Sequence, residues 1–309
     1  MTQAPPVFLP VAEPDLGSLE ESYVLDAVRS GWVSSIGPYV GRFESGFAEF
    51  TGVRHAVAVS NGTTAIHLAL LAAGVGPGDE VVVPALTFVA TAAAVRHAGA
   101  EPVFVDSEPG VGTMDPAALA RALSPRTKAV IPVHLYGNAA DMDPILELAR
   151  KRGLFVIEDA AEAHGAKDRG RIVGSMGHVG VFSFYGNKIL TTGEGGAVVT
   201  DDDALAVRVR FLKDHAMDPS RRYWHPEVGY NYRMTNVQAA LGCAQLERYG
   251  ELTAKRQRVL DLYREAFADT SISINPGRPW STPVPWLVCA LLREETTSYT
   301  LSLHDALPI

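Results

Sequence analysis

Apolar residues recur along the chain in two rhythms. "YVLDAVRSGWVSSIGPYVGRFESGFAEFTG", residues 23–52, carries two helical patterns divided by Gly37 and Pro38. After it, short unbroken apolar runs alternate with helix-period segments. "HAVAVS", "EVVVP", "EPVFVD", "TKAVIPVHL" and "LFVIEDA" predict strands. "TTAIHLALLAAG" (ended by Gly74), "TAAAVRHAG", "DPAALARAL" and "DPILELARKRG" predict the helices among them, the third opened by Asp115 with Pro116 in its first turn. Runs rich in β-branched residues, without clean apolar–polar alternation, predict strands buried on both faces, hence a mainly parallel sheet flanked by helices. The β–α alternation predicts a doubly wound α/β domain. From about residue 236 to 267 the pattern is helical, and "LERYGELTAKRQRVLDLYREAF" reads as a long connecting helix with a break at Gly250. A large domain is therefore placed at residues 1–250 and a smaller one at 251–309, with "WLVCALL" as the latter's first strand. "REETTSYTLSLHDALPI" adds no recognisable element, so the small domain reads as incomplete and about 293–309 as a non-native tail.

Composition sharpens this picture. The 309 residues are 47% apolar and 20% charged, enough to bury a sizeable core. A net charge of −8 argues against a nucleic-acid or anionic-membrane binder, though a local cluster of donors suffices for a phosphorylated small molecule. The two cysteines, Cys243 and Cys289, have no CxxC spacing and no His cluster beside them, which predicts no disulfide framework, no metal site and a reducing compartment. The N-terminus shows no basic and apolar leader, and "VVVPALTFVATAAAV" is short for a bilayer span. A cytoplasmic protein is expected.

Three stretches carry candidate chemistry. Lys188, in "FSFYGNKILTTGEGG", is set between an aromatic run and a glycine-dense turn. A lysine in a loop is most often a solvated charge. A buried one has a lowered pKa, and its neutral amine can form a Schiff base with an aldehyde. Asp159 ends the apolar run "FVIED", where ligands of open α/β sheets bind. Its carboxylate either caps the next helix or holds a protonated pyridine nitrogen, strengthening the ring as an electron sink. Neighbouring Glu158 points the other way. In "VSNGTTAIHLAL", a strand ends at Ser60, Gly62 allows a turn, and Thr63 and Thr64 open a helix. That is an anion site or a plain helix cap. No GxxxxGK[ST] occurs, and neither a dinucleotide glycine fingerprint nor a Tyr-x-x-x-Lys pair is correctly placed, which counts against nucleotide-triphosphate and nicotinamide enzymes.

Read in order, "GWVSSIGPYVGRFE", "SNGTTAIHLAL", "VVVPALTFVATAAAV", "PVHLYGNAADM", "IEDAAEAHGA", "FSFYGNKILTTGEGG" and "GYNYRMTNVQAALGCAQLE" resemble the DegT/StrS family of sugar-nucleotide aminotransferases. That family is a branch of the fold-type I enzymes dependent on pyridoxal 5'-phosphate. The resemblance implies that Lys188 bonds the cofactor aldehyde and shuttles the proton between Cα and the cofactor's C4′. It implies that Asp159 pairs with the pyridine nitrogen, that Phe88 lies on one ring face, and that Gly62, Thr63 and Ser183 bind the phosphate. Asn231 would reach the phosphate of a neighbouring subunit's cofactor, making the site a homodimer product. Glu162 stands where many relatives have Gln, near the cofactor's 3′-oxygen, and is either protonated or turned toward substrate. A lysine at 188, where some relatives have His, favours amine transfer over deoxygenation. The perosamine synthase branch is the nearest in pattern, which implies a nucleotide-linked 4-keto-6-deoxy sugar and glutamate as partners. His215, Arg221 and Arg222 are substrate candidates or ordinary surface residues. Ser34 and Ser35 match a substrate-approaching loop, whose Trp32 is either part of it or core. The alternatives are a fragment that binds cofactor without turnover, or a relative acting on another keto-sugar.

Overall fold

A computed structural model of the chain describes residues 10–292. Helix α1 (Ser18–Arg29) is followed by α2 (Pro38–Thr51). Pro38 takes the first helical position, where its missing N–H costs nothing, and Gly52 ends the helix in the left-handed region at φ 75°. The alternating stretch then runs β1 (His55–Val59), α3 (Gly62–Ala72), β2 (Glu80–Pro84), α4 (Ala90–His97), β3 (Glu101–Val105), α5 (Pro116–Ala122), β4 (Thr127–Val130), α6 (Met142–Arg152) and β5 (Phe155–Asp159). A small hairpin, β6 (Lys167–Asp168) and β7 (Arg171–Ile172), leads to β8 (Val179–Ser183) and β9 (Gly196–Thr200). Helices α7 (Asp203–Lys213), α8 (Asn236–Glu247) and α9 (Tyr249–Ala266) follow, then the two-residue strands β10 (Ser273–Ile274), β11 (Ser281–Thr282) and β12 (Ala290–Leu291).

Seven strands form one sheet in the order β1-β9-β8-β5-β4-β2-β3. Strand β9 pairs antiparallel with both β1 and β8, while the remaining pairs are parallel, so β9 alone opposes the common direction. Both faces are covered, as the unalternating runs require. Val57, Val59, Val81, Val83 and Ile157 pack on one side against Leu68 and Leu70 of α3 and Val209 of α7. On the other side Phe182 and Val199 meet Phe43 and Phe47 of α2, and Val82, Val130 and Val156 meet Met142 and Ile145 of α6. Each such side chain contributes about 1.5–3 kcal/mol when fully buried. Strand β1 is an edge, and side chains occupy its outward groups: the Ala58 N–H donates to Glu44 (2.9 Å), while Lys213 and Arg210 donate to the carbonyls of Ala58 (2.7 Å) and Ala56 (2.9 Å). An edge saturated in this way offers no ladder to another strand.

Three sequence expectations change. The helix break expected at Gly250 lies at Arg248, and Gly250 sits inside α9. Arg248 is held at the break by Asp15, Glu20 and Glu251, and a helical glycine costs only roughly 1 kcal/mol. The run "TKAVIPVHL" is a strand only over Thr127–Val130. Pro132 has no N–H for the ladder, and beyond it only Val133 forms an isolated bridge, to Asp159. Of "WLVCALL" only Ala290–Leu291 is strand, paired with β10. The Asn275 side chain takes over the ladder's function before it, donating to the Leu287 carbonyl (2.9 Å) and accepting from the Cys289 N–H (2.7 Å). The tail expected at about 293–309 lies outside the described residues. Among the described residues no helix is long and apolar enough to cross a membrane.

Candidate active site

Five strands of common direction end on the same sheet edge, and each delivers a piece of the site. Strand β1 leads to the head of α3, β2 to Phe88, β4 to His134–Tyr136, β5 to Asp159, and β8 to Ser183 and Lys188. This carboxyl edge is where open α/β sheets bind ligands.

At the head of α3, Asn61 caps the helix by accepting from the Thr64 N–H (2.9 Å), and the Thr64 hydroxyl donates back to the Asn61 carbonyl (2.9 Å). These two residues are consumed locally. The N–H groups of Gly62 and Thr63 have no acceptor within the helix and point out of its positive end. A Cβ on Gly62 would stand 2.8 Å from the Ser183 Cβ, so only glycine lets the helix head rest on the end of β8. Gly62 thereby meets Ser183, with Thr63 next to it in the helix head.

Asp159 is buried at the end of β5. Its carboxylate accepts from the Thr91 hydroxyl (2.8 Å) and the Ala161 N–H (3.2 Å). Burial pushes its pKa up, opposed by those two bonds and by the charge of Lys188. A cation placed on this acid would offset the cost of burying its charge. Glu158 points away, as alternation along a strand requires. It accepts from His134 Nε2 (3.0 Å), the Gly174 N–H (2.8 Å) and the Met176 N–H (2.6 Å). His134 Nδ1 accepts from the Ala140 N–H (3.0 Å), so the ring's proton is on Nε2 and donates to Glu158. The His134 N–H in turn holds the Asp159 carbonyl (2.9 Å), bracing the strand end from behind.

Lys188 is not a solvated charge: its side chain is 11% exposed. Burial lowers its pKa, with Glu162 and Asp159 opposing. Its Nζ lies 3.7 Å from Glu162 Oε1 and 3.6 Å from the centre of the Trp286 ring. Glu162 accepts from the Tyr136 N–H (3.0 Å), and burial pushes its carboxyl up, toward the protonated form. His164 is wholly buried with neither ring nitrogen partnered among the described residues. Burial pushes its pKa down to about 3, so the ring is neutral.

The remaining candidates stand further out. Phe88 is half exposed, one turn before Thr91, whose N–H donates to the Phe88 carbonyl (3.2 Å). Asn231 is exposed beside the edge of the sheet and accepts from Arg233 (2.9 Å). Ser34 belongs to a loop pinned by Asn236, whose N–H donates to the Ser34 carbonyl (2.6 Å) and whose amide donates to that of Trp32 (2.7 Å); Ser35 follows it. Trp32 is exposed, not core. His215 lies 3.3 Å from Arg233, Arg221 covers Trp224 and Arg222 covers Tyr223. Within one chain none of these outer residues forms a hydrogen bond or ion pair with Lys188, Asp159 or Glu162 among the described residues. Sequence reasoning missed Thr91, Tyr136, His164 and Trp286. Thr91 was within reach, one helical turn after Phe88; Trp286, 98 positions beyond Lys188, left no local signal.

The convergent groups fit pyridoxal phosphate on chemical grounds: an amine for the aldehyde, a buried acid for the ring nitrogen, and a helix head with a serine hydroxyl for the phosphate. A seven-stranded α/β sheet carrying that set at its carboxyl edge defines a pyridoxal-phosphate-dependent transferase of fold type I. Residues 14–307 match the DegT/DnrJ/EryC1/StrS aminotransferase family, and the chain belongs to it. It is 55% identical over 258 residues to the GDP-perosamine synthase of Caulobacter vibrioides, covering 84% of this chain and 70% of that protein. The GDP-perosamine synthase of Escherichia coli O157:H7 is 47% identical over 97% of this chain and 82% of its own length. Among solved structures, the PLP form of the Streptococcus pneumoniae sugar aminotransferase Spr1654 superposes with a TM-score of 0.85 at 30% identity, over 90% of this chain and 76% of that one.

Proposed function

We propose that the protein transfers an amino group, with glutamate as donor, to the keto carbon of a nucleotide-linked 4-keto-6-deoxy sugar, as a perosamine synthase does. The relatives' names support the substrate class. The observation that carries the mechanism is a water-shielded Lys188 amine 3.7 Å from the buried acid Glu162 and near enough to buried Asp159 to feel its charge.

Bound pyridoxal phosphate supplies an electrophilic carbon for amines and a ring that stores the electrons released when a Cα–H bond breaks. In this reading Gly62, Thr63 and Ser183 anchor the phosphate, and Asp159 keeps the ring nitrogen protonated while Thr91 fixes the orientation of its carboxylate. Phe88 covers one ring face. Lys188, whose pKa burial lowers, in its neutral form accepts the proton from the donor's Cα and later returns one to the sugar carbon. Glu162 lies within reach of that amine, and burial pushes its carboxyl up while the Lys188 charge opposes. Asn231 serves the site of a second subunit in a homodimer. Ser34, Ser35, His215 and Arg221 border the sugar nucleotide. Residues 1–250 form the cofactor-binding domain, 251–309 contribute a smaller one, and the protein works in the cytoplasm.

Two measurements test this. Borohydride reduction of the protein with pyridoxal phosphate should add the reduced cofactor's mass to the peptide holding Lys188. Incubation with glutamate and GDP-4-keto-6-deoxymannose should yield an amino sugar and 2-oxoglutarate. Labelling elsewhere refutes the site; labelling without product refutes turnover of this substrate and favours a fragment that binds cofactor alone.

A further inference from the structure

We propose that Trp286 is a positioning residue for Lys188: its indole face receives the lysine ammonium and holds it beside Glu162, away from water. The proposal rests on the reading of Lys188 as the bond-forming amine.

The geometry is a closed circuit. Lys188 Nζ lies 3.6 Å from the Trp286 ring centre, nearer than any other cation–aromatic contact among the described residues. The Trp286 ring stacks on Tyr136 at 6.1 Å and 25°. The Tyr136 N–H holds one Glu162 oxygen, and the other lies 3.7 Å from Lys188 Nζ. Trp286 is itself fixed. Its Nε1–H donates to the Asn187 carbonyl (2.8 Å), and its carbonyl accepts from Arg256 (2.9 Å). The same guanidinium donates to the Lys188 carbonyl (3.2 Å), so one α9 side chain ties the backbones of the lysine and the tryptophan together.

The need for such a device follows from burial. A desolvated ammonium is costly, and a cation over an aromatic face recovers part of that cost without a second mobile charge. The titratable groups acting on this amine are Glu162 and Asp159 from the β5 side and neutral His164; Arg256 from α9 holds the lysine's own carbonyl, and Tyr136 after β4 and the Cys289 thiol, which burial pushes up to about 11, stand toward Glu162. The two acids and the indole face favour the ammonium, while burial opposes it. Removing only the aromatic face, with the volume kept apolar, therefore shifts the balance toward the neutral amine.

The test uses the full chain freed of pyridoxal phosphate. Reductive methylation with formaldehyde is followed at the Lys188 peptide by mass spectrometry from pH 6 to 11. The midpoint should fall by about 1 pH unit in Trp286→Leu and by less in Trp286→Phe, which restores an aromatic face. Cooperative melting is checked for each, and if Trp286→Leu does not fold, the Trp286→Phe shift alone decides. An unchanged or raised midpoint overturns the proposal, because a merely space-filling tryptophan would let water in or change nothing. Borohydride labelling is run in parallel: cofactor on another lysine overturns the assignment of Lys188 and the proposal with it, whereas a static midpoint with labelled Lys188 overturns the role of Trp286 alone.

Discussion

Lys188, Asp159 and His164 share one environment and respond to it differently. Burial drives the lysine and the histidine toward their neutral forms and pushes the aspartic acid toward its own. Lys188→Ala removes the amine that moves the proton, and turnover should fall by about 10⁴-fold, measured under saturating donor. Asp159→Asn leaves the Thr91 hydroxyl a partner but takes away the charge. Cofactor affinity should drop by about 10²–10³-fold, read by equilibrium dialysis. His164 contributes to acid sensitivity. Its folded pKa of about 3 lies below the ordinary 6.5, so between those values the unfolded chain binds a proton that the folded chain refuses. Stability conferred by the neutral ring is complete above pH 6.5 and is lost as pH falls toward 3, at no more than about 1.4 kcal/mol per pH unit. In urea titrations from pH 7 to 4, His164→Leu should show a shallower loss than the parent. Asp159 and Glu162 act in the opposite sense, but they are common to both proteins and cancel in the comparison.

At the scale of elements, the site depends on how closely a few backbones approach. The head of α3 reaches the end of β8 because Gly62 has no side chain, and α8 reaches α2 because Gly242 has none. A Cβ on Gly242 would lie 2.7 Å from the Phe43 ring and 2.9 Å from Thr192 Cγ2. Phe43 in turn meets Phe184, the residue after Ser183 in the strand-to-lysine segment, edge-on at 5.1 Å. Gly242→Ala should cost about 1–3 kcal/mol in urea unfolding, through overpacking alone. The periodicity made most of these elements legible: the cap at Asp115, the stop at Gly74 and the strand run before Asp159 are local chemistry. Gly250 misled because a helix tolerates a glycine at a cost of about 1 kcal/mol, and the break falls instead at Arg248, which pairs with the distant Asp15 and Glu20. "WLVCALL" misled because Asn275, distant in sequence, takes over its ladder bonds.

For the whole molecule, the proposed homodimer makes a testable demand on Asn231, which is exposed in the single chain. If each site takes its lysine from one subunit and its asparagine from the other, two dead variants can complement each other. Lys188→Ala and Asn231→Asp, unfolded together and refolded as a mixture, should recover about one quarter of parental activity, since half the dimers are hybrids with one intact site. Each variant refolded alone should stay inactive, and a mixture no better than its parts would place Asn231 in its own subunit's site.

The sequence by itself determined the alternation of strands and helices, the covered, mainly parallel sheet, and the motif set that contains Lys188, Asp159 and Gly62. Those features are encoded in neighbouring residues, where side-chain period and turn chemistry act over a few positions. Tertiary structure alone decided that Lys188 is desolvated, that Glu162 faces it, that Thr91 and His134 brace Asp159, and that Trp286 closes over the amine. These depend on which strand ends share an edge and on contacts between residues far apart in the chain. A pKa or an aromatic contact belongs to the space around a group, and no local pattern specifies that space.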